Sequence, residues 1–149
     1  MRRIIYGVMM AAALLCSAST LAAAGCNLAT LSGYYGYSAT GLIPEMSRNV
    51  VARYAPFSEI AQIHYDGNGK VALRGTEQSP GSVVSVTYYG AYEVSDGCIG
   101  KATFRNDSGT IVDWHFVLVQ GGNELDTMAL YPVLGLRPVF ALTFNQKKL

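Results

Sequence analysis

From residue 34 onward the chain alternates hydrophobic and polar positions with a period of two. Tyr35, Tyr37 and Ala39 interleave with Tyr34, Gly36 and Ser38. In EIAQIHYD, at 59–66, Ala61, Ile63 and Tyr65 share one face while Ile60, Gln62 and His64 share the other. Such a period predicts strands, because successive side chains of an extended chain point to opposite sides. DGNGK at 66–70 is tight-turn chemistry between two alternating runs and predicts a hairpin. KVALRGT is the return strand, with Val71, Leu73 and Gly75 on one side, and SPGS at 79–82 turns the chain again.

The next run, VVSVTYYGAYEV, places Val84, Val86, Tyr88, Gly90, Tyr92 and Val94 on one face and Ser85, Thr87, Tyr89, Ala91 and Glu93 on the other. After SDGCIG come a short strand CIGKATFR, a turn NDSG, a strand TIVDWHFVLV, a turn QGGN and a strand ELDTMALY. PVLGLRP then leads into a last strand, VFALTFN. Apolar residues on both faces of 112–119 predict a strand covered on both sides. Only 56–60 offers a candidate helical turn.

The pattern therefore predicts an all-β fold, a single closed antiparallel up-and-down β-barrel of about eight strands, since closure removes exposed strand edges. A two-sheet sandwich is the other architecture it allows. A barrel of this size is filled by side chains or holds one small ligand. Lys70, Arg74, Lys101 and Arg105 within short strands, and an NQKKL end without a terminal aromatic residue, argue against a membrane-embedded barrel.

The beginning of the chain sets the compartment. Arg2 and Arg3 precede an apolar run at 4–15, then Ser17, Ser19 and Thr20 dilute it and alanines occupy 22–24. This is the pattern of a secretory signal peptide over 1–24, with Gly25 first in the mature chain and 25–149 forming one barrel domain. The apolar run is short for a membrane-spanning helix, which needs about 20 residues, so no integral span is expected in the mature chain. Loss of Arg2 and Arg3 leaves nine basic against ten acidic side chains, scattered along the chain. That balance excludes the clustered basic footprint of a nucleic-acid binder. A secreted or periplasmic location in a bacterium follows.

Cys16 leaves with the leader, so the mature chain holds Cys26 and Cys98. Two cysteines in an oxidising compartment read as one disulfide. Ala23-Ala24-Gly25-Cys26 also resembles a bacterial lipobox, in which Cys26 would carry a lipid anchor and Cys98 would remain a thiol. Both readings stand at the level of sequence.

CNLATLSGYYGYS, IHYDGNGKV, YEVSDGCIGKATF and FVLVQGGNEL, in that order, resemble the secreted bacterial proteins grouped as allene oxide cyclase barrel-like, within the calycin class. The resemblance runs from Cys26 to about Leu125. Gly97 stands between Asp96 and Cys98, where the group's pattern has them adjacent. The resemblance implies a calycin-like barrel and a Cys26–Cys98 bridge. It also implies, as one class of activity, isomerisation or cyclisation of a hydrophobic substrate inside the barrel, without a cofactor.

Candidate chemistry is sparse. Asp113 and His115 lie two positions apart on one strand face, where an aspartate can orient an imidazole as a general base or acid. Glu59 and Glu93 are carboxylates isolated in largely uncharged strand sequence; a lumenal one would have its pKa raised by burial and could protonate a reacting group. Tyr35, Tyr37, Tyr88 and Tyr92 would line a cavity with apolar surface and polar tips, suited to a ring-bearing or fatty ligand. His64 and the scattered carboxylates lack the spacing of a metal site, so no metal or other cofactor is expected.

These readings order the functions. The first is an exported barrel binding an apolar, lipid-like or ring-bearing small molecule in its lumen. The second is a cyclase or isomerase in which Glu93, His115 and Asp113 are the catalytic candidates. The third is a filled barrel acting through its outer surface, whose apolar outward positions would form the interface of a homo-oligomer.

Overall fold

Eight antiparallel strands follow one another around a closed barrel: β1 (Ser32–Ser47), β2 (Val50–Asp66), β3 (Lys70–Ser79), β4 (Ser82–Val94), β5 (Ile99–Arg105), β6 (Ile111–Val119), β7 (Glu124–Tyr131) and β8 (Phe140–Lys148). The structure is a computed structural model and describes residues 25–47, 50–131 and 140–149, with the side chains of 46–51 and 131–141 left aside. The expected signal peptide at 1–24 and PVLGLRP at 132–138 lie outside the described residues. Each strand pairs with the next, and β8 closes on β1 through Tyr35↔Lys148, Gly36↔Lys147 and Tyr37↔Gln146. Closure excludes the sandwich.

Turn chemistry sets the register. In the β2–β3 hairpin the Asp66 carboxylate accepts the backbone N–H of Asn68 at 2.7 Å and of Lys70 at 2.9 Å. Gly67 and Gly69 take φ of 78° and 96°, which side chains other than glycine adopt only with strain. The same two N–H groups hold the Asp66 carboxyl below its ordinary pKa, since both favour the charged form.

Two expectations fail for identifiable reasons. Residues 56–60 are not helical; they continue β2, with Ala55, Phe57 and Glu59 buried and Pro56 and Ile60 outward, so period-two burial outweighs the local proline signal. The strand at 112–119 is covered on one side only. Val112, Trp114, Phe116 and Leu118 are buried, whereas His115 and Val117 are exposed, because a single-sheet barrel has no second layer outside it.

Inside, the barrel is apolar and largely filled. Tyr35, Ile63, Tyr65, Phe104, Phe116, Leu31 and Leu125 are fully buried. Tyr65 makes edge-on ring contacts with Tyr35 at 5.4 Å and Tyr92 at 5.1 Å, and its hydroxyl donates to Gln146 Oε1 at 3.1 Å. Gln146 in turn donates to Thr127 Oγ1 at 2.7 Å, which pairs the polar groups of this buried amide. Gly100 leaves the space that the Phe116 ring fills; a Cβ there would meet Phe116 Cε2 at 2.1 Å. Outward positions carry Lys70, Arg74, Lys101, Arg105 and Asp126 beside exposed apolar residues such as Ile60, Val83 and Ile99.

The N-terminal segment closes one end. Asn27 caps a short 3-10 turn at Leu28–Thr30, accepting the Thr30 N–H at 3.2 Å while Thr30 Oγ1 accepts the Asn27 N–H at 3.0 Å. Leu31 then plugs the core, and the Tyr92 hydroxyl donates to the Leu31 carbonyl at 2.8 Å. The segment lies against Gly67 and Gly69 of the β2–β3 turn and Gly122 of the β6–β7 turn. A disulfide joins Cys26 to Cys98 of the β4–β5 turn across a Cα separation of 4.9 Å. The sulfur that a lipid anchor would require is thereby engaged. The bridge fits an extracellular or periplasmic protein. No helix among the described residues is long and apolar enough to cross a membrane.

Candidate functional site

Away from the plugged end, the interior changes character. Glu59 on β2 and Glu77 on β3 are direct cross-strand partners, and both take the inward phase of the alternation. Glu59 follows Ala55 and Phe57 and precedes Ala61 and Ile63 on the buried face, and it is itself 5% exposed. Glu77 continues the face of Val71, Leu73 and Gly75. The backbone alternation therefore carries two carboxyls into an apolar wall.

Burial dominates their electrostatics. Removal from water raises the Glu59 pKa to about 7, helped by the facing Glu77, while a hydrogen bond with the Tyr37 hydroxyl opposes the rise. Glu77 also moves above the ordinary carboxylate range through burial, opposed by a hydrogen bond from the Tyr88 hydroxyl to its Oε1 at 3.1 Å. Tyr88 is displaced upward in turn, by burial first and by the charge of Glu77 next. At neutral pH Glu59 thus sits near the midpoint of its titration beside a second acid.

Glu59, Glu77 and Tyr88 share one cavity with Leu73, Phe104, Val112 and Trp114. It offers only about 10 Å³ to the centre of a water molecule, room for about one water by the usual measure. Trp114 is 3% exposed, and its indole stacks edge-on to Tyr37 and close to Phe104 at 4.5 Å. Its Nε1–H has no hydrogen-bond partner among the described residues. A buried donor without an acceptor is costly, and the side chain that carries this one lines a cavity with two acids.

The residues anticipated from sequence divide between the two faces. Tyr35, Tyr37, Tyr88 and Tyr92 are all buried in the lumen. Tyr35 and Tyr92 belong to the plugged half, where their hydroxyls bond backbone carbonyls of Gly122, Leu28 and Leu31. Burial pushes the Tyr35 pKa up to about 12, with the neighbouring Tyr92 adding to it. Tyr37 and Tyr88 belong to the acidic half. Glu93, Asp113 and His115 stand on the outer wall: Glu93 pairs with Lys101 at 2.6 Å, and Asp113 accepts the Thr103 hydroxyl at 2.7 Å. Alternation separates Glu93 from Tyr92, its neighbour in the chain.

His115 lines an open outer depression of about 550 Å³ bordered by Ile99, Val117, Asp126 and Met128. That depression contains one imidazole and one carboxylate against apolar surface.

Glu77 is the functional residue that sequence reading overlooked. Its signal was available: it extends the apolar face of β3 by one more inward position, and the hairpin register sets it opposite Glu59. Comparison of the chain with known protein families, with characterised proteins and with solved structures finds no match.

Proposed function

We propose that the protein is an exported barrel that binds a small, largely apolar molecule at the acidic end of its lumen. The observation that carries this reading is the placement of Glu59 and Glu77 on one small cavity lined by Tyr88, Phe104 and Trp114. A barrel selected only for stability would place apolar side chains at these positions, because a buried carboxyl costs stability unless its hydrogen bonds and charge are met. Perturbed acids inside a cavity are enriched at functional sites. The present space admits about one water-sized polar group, so the body of a ligand requires the wall to open. The half plugged by Leu31 and tied by the disulfide stays closed.

The test is mass spectrometry of protein exported by its own leader, native and then denaturing, without reductant. A co-purifying small mass, lost on denaturation and absent from Glu59→Leu protein that still folds, supports the reading. The same mass retained by that variant contradicts it.

A second reading rests on Glu59 alone. An acid half-protonated at neutral pH, in a site that excludes water, can protonate an epoxide or carbonyl oxygen and so start an isomerisation or cyclisation. This accords with the resemblance to allene oxide cyclase barrel-like proteins. It predicts that Glu59→Gln turns a substrate into a ligand that binds without reacting. Self-association is favoured by a different observation: Ile99 and Val117 are cross-strand partners on the outer wall, exposed by 58% and 44% beside Met128. Light scattering at several concentrations would show a dimer if this patch is an interface.

A further inference from the structure

We propose that the outer wall of β1–β3 carries a separate binding site, for a sugar unit that bears a carboxylate, such as a uronate. It lies outside the barrel and does not depend on the lumenal reading. Strand alternation builds it. Tyr34, His64 and Ala72 fall on one cross-strand row, and Gln62 and Arg74 are partners in the next. These side chains take the outward phase and line a hollow of about 280 Å³. That volume lies at the small end of ligand sites and suits a single ring-sized unit. Ala72 places a methyl group where its row neighbours, His64 and Tyr89, carry rings, which keeps the middle of the row low.

Ring surface and charge together give the ligand's chemistry. The Tyr34 ring is 52% exposed and lies 4.5 Å from the His64 ring at an interplanar angle of 30°. The pair presents a stiff aromatic surface, which meets the C–H face of a sugar at small entropic cost. Arg74 supplies an unopposed charge. Its outward neighbours are Gln62 and Thr87 across the strands and Ala72 and Thr76 along its own, none of them acidic. Among the described residues no carboxylate pairs with it, whereas Arg53, Lys101 and Lys147 each have one. Asp66, on the same face of β2, accepts N–H groups of its own hairpin. A guanidinium takes a carboxylate through two parallel N–H donors, and the Gln62 amide both donates to and accepts from hydroxyls. A neutral sugar leaves Arg74 unopposed, a simple carboxylate leaves the rings bare, and a basic ligand is repelled.

The chain contains two histidines, His64 in the hollow and His115 on β6, four strands away around the barrel. Their ring protons therefore give a reporter and an internal control, assigned by NMR through the His115→Gln spectrum. The mature protein is titrated at neutral pH and constant ionic strength with methyl β-glucuronide, methyl β-glucoside and acetate. The glucuronide is expected to shift His64 and leave His115 in place, with a Kd about fivefold below that of the glucoside, the upper end for an exposed ion pair. Acetate is expected to bind more weakly than the glucuronide. Arg74→Gln, a substitution at an exposed position, is expected to erase the difference between the two glycosides, and Tyr34→Ala to weaken both. Equal affinity for glucuronide and glucoside overturns the proposal, because the carboxylate then takes no part. Acetate binding as tightly as the glucuronide overturns it too, because the sugar ring then takes none. An unmoved His64, or equal shifts at both histidines, removes the site altogether. None of these outcomes bears on the lumenal reading, whose own test is the co-purifying mass.

Discussion

Glu59 and Glu77 face each other across adjacent strands inside the barrel, each hydrogen-bonded to a tyrosine hydroxyl, Tyr37 for the first and Tyr88 for the second. Two carboxyls at direct cross-strand positions repel when both are charged. The pair is therefore most stable with a proton between them, and this sets its behaviour with pH.

Stability should fall as pH rises from about 5 to about 7. Glu59 titrates near 7 when folded and near its ordinary value when unfolded, so the folded state binds the extra proton across that window. Stability present below the unfolded pKa is lost as pH climbs through the folded one. The upper bound is on the order of 3 kcal/mol at about 1.4 kcal/mol per pK unit. Urea unfolding of wild-type and Glu59→Gln protein across this range checks it. The difference between the two should change with pH and level off above about pH 8; a constant difference contradicts the assignment.

How much of this was written in the sequence can be read from the hairpin itself. DGNGK placed the turn, and the turn fixed the pairing Tyr65↔Val71, from which Glu59↔Glu77 follows by counting along both strands. The face of each acid was legible too, since Glu59 shares its phase with Ala61 and Ile63. By the same logic Tyr92 and Glu93 could never both point inward. What alternation could not reveal was which face of β6 is covered, because Ile111, Val117 and Val119 are as apolar as Val112 and Leu118. Whether the lumen is open or filled depends on how Tyr65, Trp114 and Phe116 interlock, which is a property of three dimensions. The plug of residues 25–31 was likewise hidden, although its cysteine was not.

The disulfide should account for a large part of the stability. Joining residues 72 apart in sequence stabilises the fold by roughly 4 kcal/mol in the chain-entropy model. It also fixes the segment that carries Leu31 into the core. A Cys26→Ser, Cys98→Ser double variant should unfold at markedly lower urea, and amide exchange should rise first at Leu31 and around Tyr92. Unchanged unfolding would show that the plug holds without its tether.

Alkaline pH should unfold the barrel cooperatively. Tyr35, at about 12, and Tyr65 and Tyr88 all ionise above the ordinary tyrosine range because burial disfavours phenolate. The unfolded chain ionises near 10, so stability is lost as pH rises beyond that value. Absorbance at 295 nm follows the phenols as they ionise. The buried group should then ionise in one step together with loss of near-ultraviolet circular dichroism. A single smooth titration of all tyrosines would contradict this.

Gly100→Ala should be among the most damaging small substitutions. Its Cβ would meet the Phe116 ring and lie 2.8 Å from the Glu93 carbonyl oxygen, with backbone on one side unable to yield. Overpacking of this kind costs about 1–3 kcal/mol, readable as a lower thermal midpoint. Phe116→Leu in the same chain should restore part of the loss by vacating the ring's space.

The measurement closest to the central claim is the carboxyl titration of Glu59, followed by carbon-detected NMR on labelled protein and assigned by the Glu59→Gln spectrum. The account predicts an inflection near 7, with an upward displacement at Glu77 coupled to it. An inflection at the ordinary glutamate value, about 4.3, would place Glu59 in water and remove the acidic site from the lumen.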